Sequence, residues 1–228
     1  MRRNFFSLVF GAGVLLLLGL LWRQSGWAGA PQDALDTMGQ TDGSAPVVAL
    51  TFDDGPHPVY TEQLLDGLKE RGIKATFFLI GSNAEGHEEI VARMAEEGHL
   101  IGSHTYSHVQ LTKISSEKAC EEIEKTNALL KEASGQDIVY VRPPFGSWPE
   151  DLSCLLNMKV VLWSVDPLDW KVQNTERVVQ SIVTKAKDGD IILLHDVYKT
   201  SVEAALQVID ALTEKGYEFV RVDELLLD

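Results

Sequence analysis

Cysteine is scarce in this chain. Only Cys120 and Cys154 occur, with no CxxC, so the sequence offers no paired-thiolate metal motif. Cys120 shares a helical stripe with Ile123, Asn127 and Leu130 and reads as a core residue ahead of a metal ligand. A disulfide to Cys154 stays open for a chain outside the cytosol. Basic residues are also in deficit, with 20 Lys+Arg against 34 Asp+Glu and a net charge of −14. Residues 1–30 hold three arginines and no acid, so the rest of the chain carries −17. No basic patch or stripe is present, which excludes nucleic acid as the partner. A neutral or cationic substrate fits better.

One long uncharged run is present. Phe5–Trp22 is rich in leucine, follows Met1-Arg2-Arg3 and is 18 residues long, just enough to span a bilayer. Residues 1–30 therefore read as a signal-anchor or a signal peptide, with Arg2 and Arg3 on the side that stays inside. Ala28-Gly29-Ala30 is an A-x-A cleavage site, but Pro31 disfavours cutting there, so an uncleaved anchor is favoured. Either way the remaining domain is placed outside the cytoplasmic membrane, tethered to it through residues 5–22, or secreted if cut after Ala30. Residues 31–45 are a polar linker. Residues 46–228 are one domain, large enough for a single core.

From Val47 onward, apolar runs alternate with helix-period segments. The runs lie at 47–52, 75–80, 99–103, 138–142, 160–165, 190–195 and 218–222. The helical segments lie at about 60–71, 86–97, 115–133, 149–156, 175–187 and 201–215. Continuous apolar strands separated by helices predict a parallel sheet covered on both faces, either a barrel or a doubly wound sheet. Ionisable residues at strand ends favour the barrel. Asp53 and Asp54 follow the first run, His104 the third, Arg142 the fourth and Asp166 the fifth, and His195 ends the sixth. In a βα barrel those ends meet on one face, where active sites sit.

Two adjacent carboxylates in Thr51-Phe52-Asp53-Asp54-Gly55-Pro56 repel each other unless a cation or a shared proton intervenes. His104-Thr105-Tyr106-Ser107-His108 places two imidazoles four residues apart, on one face of a helical turn. With Asp54 they make three ligands and leave a position for water, as in a catalytic zinc site. Asp53 is then free to act as general base. His195 is the candidate acid, with Asp166 and Asp169 available to keep it protonated. Arg142 is placed to pair with Asp53, beside the rigid Pro143-Pro144 turn, whose following N–H groups could face an oxyanion. Taken singly, each motif also admits a plain structural explanation. DGP is a turn signal, Arg142 a surface ion pair, Trp170 a core aromatic, and His195 a satisfied strand-end histidine.

Together and in order, the five motifs resemble those of the polysaccharide deacetylase family, carbohydrate esterase family 4, over about residues 46–227. The resemblance implies a distorted (β/α) barrel of about seven parallel strands. It implies Asp53 as base, and Asp54, His104 and His108 as metal ligands, with Thr105 bracing their loop by a hydrogen bond. It further implies that Arg142 orients the base and that the Phe145 N–H binds the oxyanion, with Pro143 counted among the substrate-binding positions. It also implies that Asp169 tunes His195, that Trp170 walls the groove and that Leu193 lines the pocket for the acetyl methyl. Phe145 stands where the family motif has tyrosine. The implied cofactor is a divalent metal, Zn²⁺ first, with Co²⁺, Ni²⁺ or Mn²⁺ compatible with the same donors. The implied reaction is removal of N-acetyl groups from a cell-wall glycan of the peptidoglycan or chitin type, and no protein partner is implied. The alternatives are an O-acetyl esterase on a polysaccharide such as xylan, and a non-catalytic, membrane-tethered glycan-binding protein. His57, His87 and His99 match no ligand position.

Overall fold

The computed structural model describes residues 44–149, 152–155 and 157–226. The anchor or signal expected at residues 1–30, and most of the linker, lie outside them. Among the described residues, no helix is long and apolar enough to cross a membrane.

Seven strands form one parallel sheet: β1 (Val47–Asp53), β2 (Thr76–Leu79), β3 (Leu100–Ser103), β4 (Tyr140–Val141), β5 (Lys159–Val160), β6 (Asp190–His195) and β7 (Glu218–Phe219). The order is β5-β4-β3-β2-β1-β6, with β7 paired to the start of β1. Beyond β5 the chain returns to β6 through a single bridge, Val165 to Ile192. The sheet therefore curls toward closure and leaves a seam between β5 and β6. This is the expected distorted barrel in coarse form, a curled parallel sheet that is incompletely closed.

The strand alternation sorts the side chains. Val48, Leu50 and Phe52 of β1 pack outward into the main core, with Phe77, Leu79, Ile192 and Leu194. Their odd-numbered neighbours Ala49, Thr51 and Asp53 point the other way, into the barrel. The register sets Thr51 beside Leu193 and Asp53 beside His195. Polar strand ends thus meet inside the barrel while the outer faces stay apolar.

The helices are α1 (Tyr60–Arg71), α2 (Gly81–Ala84), α3 (Glu88–Glu96), α4 (Ser116–Ser134), α5 (Asp169–Val172), α6 (Thr175–Lys185), α7 (Lys199–Glu214) and α8 (Val222–Leu225). In α1, Leu64, Leu65 and Leu68 are buried on one face, and Gly72 ends the helix in a left-handed conformation at φ 67°. Ser115 caps α4 by accepting from the Lys118 N–H. In α7, Val202, Ala205, Val208, Ile209 and Leu212 form the buried stripe.

Several expected elements differ. The helix expected at 86–97 is present as α3, which starts at Glu88 just past Gly86 at φ 84°, while the short α2 before it was not expected. Of the helix expected at 149–156, the described residues show only a 3-10 turn at Ser153–Leu155. β4, β5 and β7 are two residues each, shorter than their apolar runs. At the seam the reason is visible. Past β5, the carbonyls of Val161 and Leu162 accept from the Arg142 guanidinium at 3.2 and 3.0 Å, in place of a strand neighbour. Cys120 in α4 and Cys154 form a disulfide, the option that the sequence left open.

Candidate active site

The pocket opens at the C-terminal ends of the strands. It is a cavity of about 410 Å³ lined by Asp53, Asp54, His104, His108, Phe145, Trp163, Asp166, Trp170, Leu193, His195 and Tyr198. Of the thirteen site residues named from the sequence, Arg142, Asp169, Pro143 and Thr105 are outside this lining. The first two act from behind it.

Asp53 ends β1 and is 3% exposed, while Arg142 is completely buried. Arg142 Nη1 donates to Asp53 Oδ1 and to Thr51 Oγ1, both at 2.7 Å. Its guanidinium lies over the Phe78 ring at 4.2 Å. Burial lowers the Arg142 pKa and the Asp53 charge opposes that fall. A surface ion pair is therefore not what Arg142 makes. Four of the five N–H groups of the fork have a fixed acceptor, and only one oxygen of Asp53 is engaged by it.

Asp54, next in sequence, faces a different set. Its backbone takes φ 75° and its Oδ1 lies 3.5 Å from His104 Nε2 and 3.4 Å from His108 Nε2. One ligand atom from each of the three residues lies within 4.8 Å of the others. The two histidines are not on a helical turn, as the spacing predicted. The loop between them is irregular, with Thr105 at φ 64° and His108 at φ 56°. Nor does the Thr105 side chain brace it by a hydrogen bond, because the buried Thr105 Oγ1 has no partner.

These residues fit a divalent cation. His104 Nδ1 lies 2.5 Å from the Arg142 carbonyl, which can only accept, so Nδ1 carries the proton and Nε2 presents its lone pair to the pocket. Burial lowers the His104 pKa, which keeps the ring neutral. Asp54 Oδ1 is itself buried without a hydrogen-bond partner. Two acceptors thus face each other with no proton between them, an arrangement that a cation resolves. Ligands bound at about 2.0–2.1 Å in tetrahedral zinc stand roughly 3.3–3.4 Å apart, close to the separations seen from Asp54.

Across the pocket, His195 ends β6. Its Nδ1 is 2.8 Å from Asp169 Oδ1, and its backbone N–H donates to Asp169 Oδ2 at 2.8 Å. Asp169 is wholly buried at the start of α5. Burial alone depresses the imidazole pKa, but the Asp169 hydrogen bond and charge, with Asp53 and Asp54 beyond, raise it to about 9. Asp166 does not take part in this pair. Its carboxylate accepts from the Leu168 N–H at 2.7 Å while lining the pocket.

Leu193 lies inside the pocket at 4% exposure, and Phe145 and Trp170 stand at its mouth at 65% and 47%. Phe145 takes φ 61° in the turn after the prolines and meets the His108 ring edge-on. Pro143, expected among the substrate-binding positions, is buried outside the lining, where it shapes that turn. Trp163 and Tyr198 line the pocket unforeseen. Trp163 lay within an apolar run and Tyr198 just past the His195 motif, so position beside a strand end was the available signal. Gly55 is required beneath the site, because a Cβ there would come within 2.4 Å of the buried Asp196 carboxylate. The other histidines serve structure. His57 stacks on Tyr60, and His99 is buried, with burial pulling its pKa down to about 4.

The polysaccharide deacetylase profile matches residues 40–160. The chain is 42% identical over 184 residues to the peptidoglycan-N-acetylmuramic acid deacetylase PdaC of Bacillus subtilis, covering 81% of this chain and 39% of PdaC. It is 39% identical to the peptidoglycan-N-acetylglucosamine deacetylase PgdA of Listeria monocytogenes, over 78% of this chain and 38% of PgdA. The chain thus spans about two-fifths of the length of each. A chitooligosaccharide deacetylase of Rhizobium leguminosarum bv. trifolii is 36% identical over 75% of this chain and 87% of its own. The solved PdaC structure superposes with a TM-score of 0.77, covering 80% of this chain and 90% of that one. Matched profile, sequence relatives and fold agree: the chain belongs to the polysaccharide deacetylase family.

Proposed function

We propose that this chain is a metal-dependent hydrolase that removes N-acetyl groups from a cell-wall glycan and releases acetate. One observation carries the reading. A three-ligand cluster, a carboxylate aimed by a buried arginine, and a carboxylate-paired histidine line or back a single pocket. The substrates named for the relatives above support the glycan class.

Asp54, His104 and His108 would hold the cation, with zinc first among the metals suited to these donors. When bound, a divalent ion supplies Lewis acidity at the carbonyl and makes water more acidic. Asp53 takes the proton of the attacking water. Arg142 fixes its other oxygen, so the carboxylate needs no reorientation at the moment of transfer. The Phe145 N–H donates to the oxygen that becomes negative as the tetrahedral centre forms. Leu193 packs against the acetyl methyl, and Trp170 walls the sugar. His195 then gives its proton to the departing amine, an otherwise poor leaving group, while Asp169 holds the imidazolium. The C–N bond breaks, and amine and acetate are the products.

In this reading the domain works outside the cytoplasmic membrane, where such polymers lie. The uncharged run Phe5–Trp22 behind Arg2 and Arg3 supports that reading, as does the disulfide. The test is mass spectrometry of N-acetylated peptidoglycan and chitin fragments before and after incubation with zinc-loaded protein. Loss of one acetyl group per turnover is expected. Unchanged masses on every N-acetylated glycan, with acetate released only from O-acetylated xylan, would overturn it.

A further inference from the structure

The loop from His104 to His108 has no regular secondary structure and holds two left-handed residues, Thr105 and His108. Backbone of this kind costs about 1–3 kcal/mol per residue and persists only where its surroundings hold it. Two neighbours do so. On one side, the first amides of α2 donate into the loop, Gly81 N–H to the Thr105 carbonyl at 3.0 Å and Ser82 N–H to the Tyr106 carbonyl at 2.9 Å. On the other side stands Glu122 of α4. Its Oε2 accepts from the N–H groups of Tyr106 and Ser107 at 3.0 and 2.7 Å, and its Oε1 accepts from Ser107 Oγ at 2.9 Å. The fit between these elements is close, since a Cβ on Gly81 would lie 2.7 Å from the Tyr106 ring and 2.8 Å from Thr126 Oγ1. α4 is itself tied down two residues away, by the Cys120 disulfide.

We propose that Glu122 is a positioning residue for the metal site, fixing the separation of His104 and His108 before a cation binds. The proposal rests on the reading of Asp54, His104 and His108 as ligands. Glu122 belongs to none of the five motifs. It grips the two residues before His108 by one carboxylate and three charge-assisted hydrogen bonds, two from backbone N–H and one from the Ser107 hydroxyl. The bracing that the family resemblance implied for Thr105 is supplied here from α4. Without Glu122 those two N–H groups lose their acceptor and the ligands must be ordered as the ion binds, which weakens affinity.

The experiment measures zinc dissociation constants of the purified full chain by competition with a chromophoric chelator. Glu122→Ala is expected to weaken zinc binding about 10–100-fold, the usual effect of losing an outer support of a metal ligand. Saturating zinc should then recover most of the turnover. Glu122→Gln, whose amide oxygen still accepts from both backbone N–H groups, should bind zinc like the parent. Parental affinity in Glu122→Ala overturns the proposal, and so does an equal loss in Glu122→Gln, which would assign the effect to charge. Should Glu122→Ala fail to fold, Glu122→Asp decides. It keeps the charge but withdraws the oxygens, so weakened binding supports the proposal and unchanged binding overturns it. His104→Ala serves as the reference. If it retains zinc, the metal reading itself fails; if it loses zinc while Glu122→Ala does not, only the role of Glu122 falls.

Discussion

Asp53 Oδ1 and Arg142 Nη1 lie 2.7 Å apart with both side chains buried. Removing one partner of such a pair strands the other charge away from water. Arg142→Met is therefore expected to lower folding stability by about 3–5 kcal/mol, besides abolishing turnover. Urea unfolding checks this, and an unmoved midpoint would contradict it.

Asp53→Asn separates base from ligand. Asp54, His104 and His108 are untouched, so zinc content should stay at the parental level. Turnover should fall roughly 10²–10⁴-fold, the usual contribution of a positioned general base. Metal analysis and acetate release on the same sample test both halves, and parental turnover in the zinc-loaded variant would remove Asp53 from the mechanism.

As the proposed acid, His195 is expected to set the alkaline limb of the pH profile. The acid form donates, so activity is present below the imidazole pKa and lost as pH rises through it. That pKa is raised from 6.5 to about 9, partly by Asp54, whose charge a bound cation would offset, so the limb is expected between those values. Asp169→Asn removes the chief support and leaves burial, which moves the limb to lower pH. The same raised pKa adds folding stability that is full below pH 6.5 and gone above about pH 9. A limb that does not shift in Asp169→Asn would argue against His195 as the acid.

Chelation tests the cation directly. Dialysis against a strong chelator should abolish acetate release, and zinc or cobalt should restore it. His104→Ala should be inactive and gain nothing from added metal. Full activity in the chelated protein would rule out a metal mechanism.

The disulfide joins residues 34 apart in sequence. A loop of that size corresponds to roughly 3–4 kcal/mol by the chain-entropy relation. Reduction, or Cys120→Ser with Cys154→Ser, should lower the unfolding midpoint accordingly. An unchanged midpoint would show that the crosslink constrains little.

Much of the pocket was legible because a parallel sheet brings strand ends to one face. Asp53, Asp54, His104, Arg142 and His195 each stand at or beside such an end, and the apolar runs that carry them are plain in the sequence. What depends on conformation within a loop was not legible. The i, i+4 spacing of His104 and His108 suggests a helical turn, but φ 64° at Thr105 and φ 56° at His108 bring the rings together by another route. Glu122 escaped notice because a charged residue on an amphipathic helix looks like solvent-facing surface, and its partners are backbone atoms that no sequence spells out. Pro143 and Thr105 took their expected roles from the motifs they sit in; in the fold Pro143 is buried in the turn outside the pocket and the Thr105 hydroxyl is buried without a partner.

Arg142 also bonds the Val161 and Leu162 carbonyls at the gap between β5 and β6. The side chain that aims the base is therefore also the rivet holding a loose plank of the wall. If that strap peels away, the rivet goes with it and the carboxylate loses its aim. Mild heating or denaturant should therefore silence any hydrolysis before the helices melt, because the opened seam and the aim of the carboxylate are lost together.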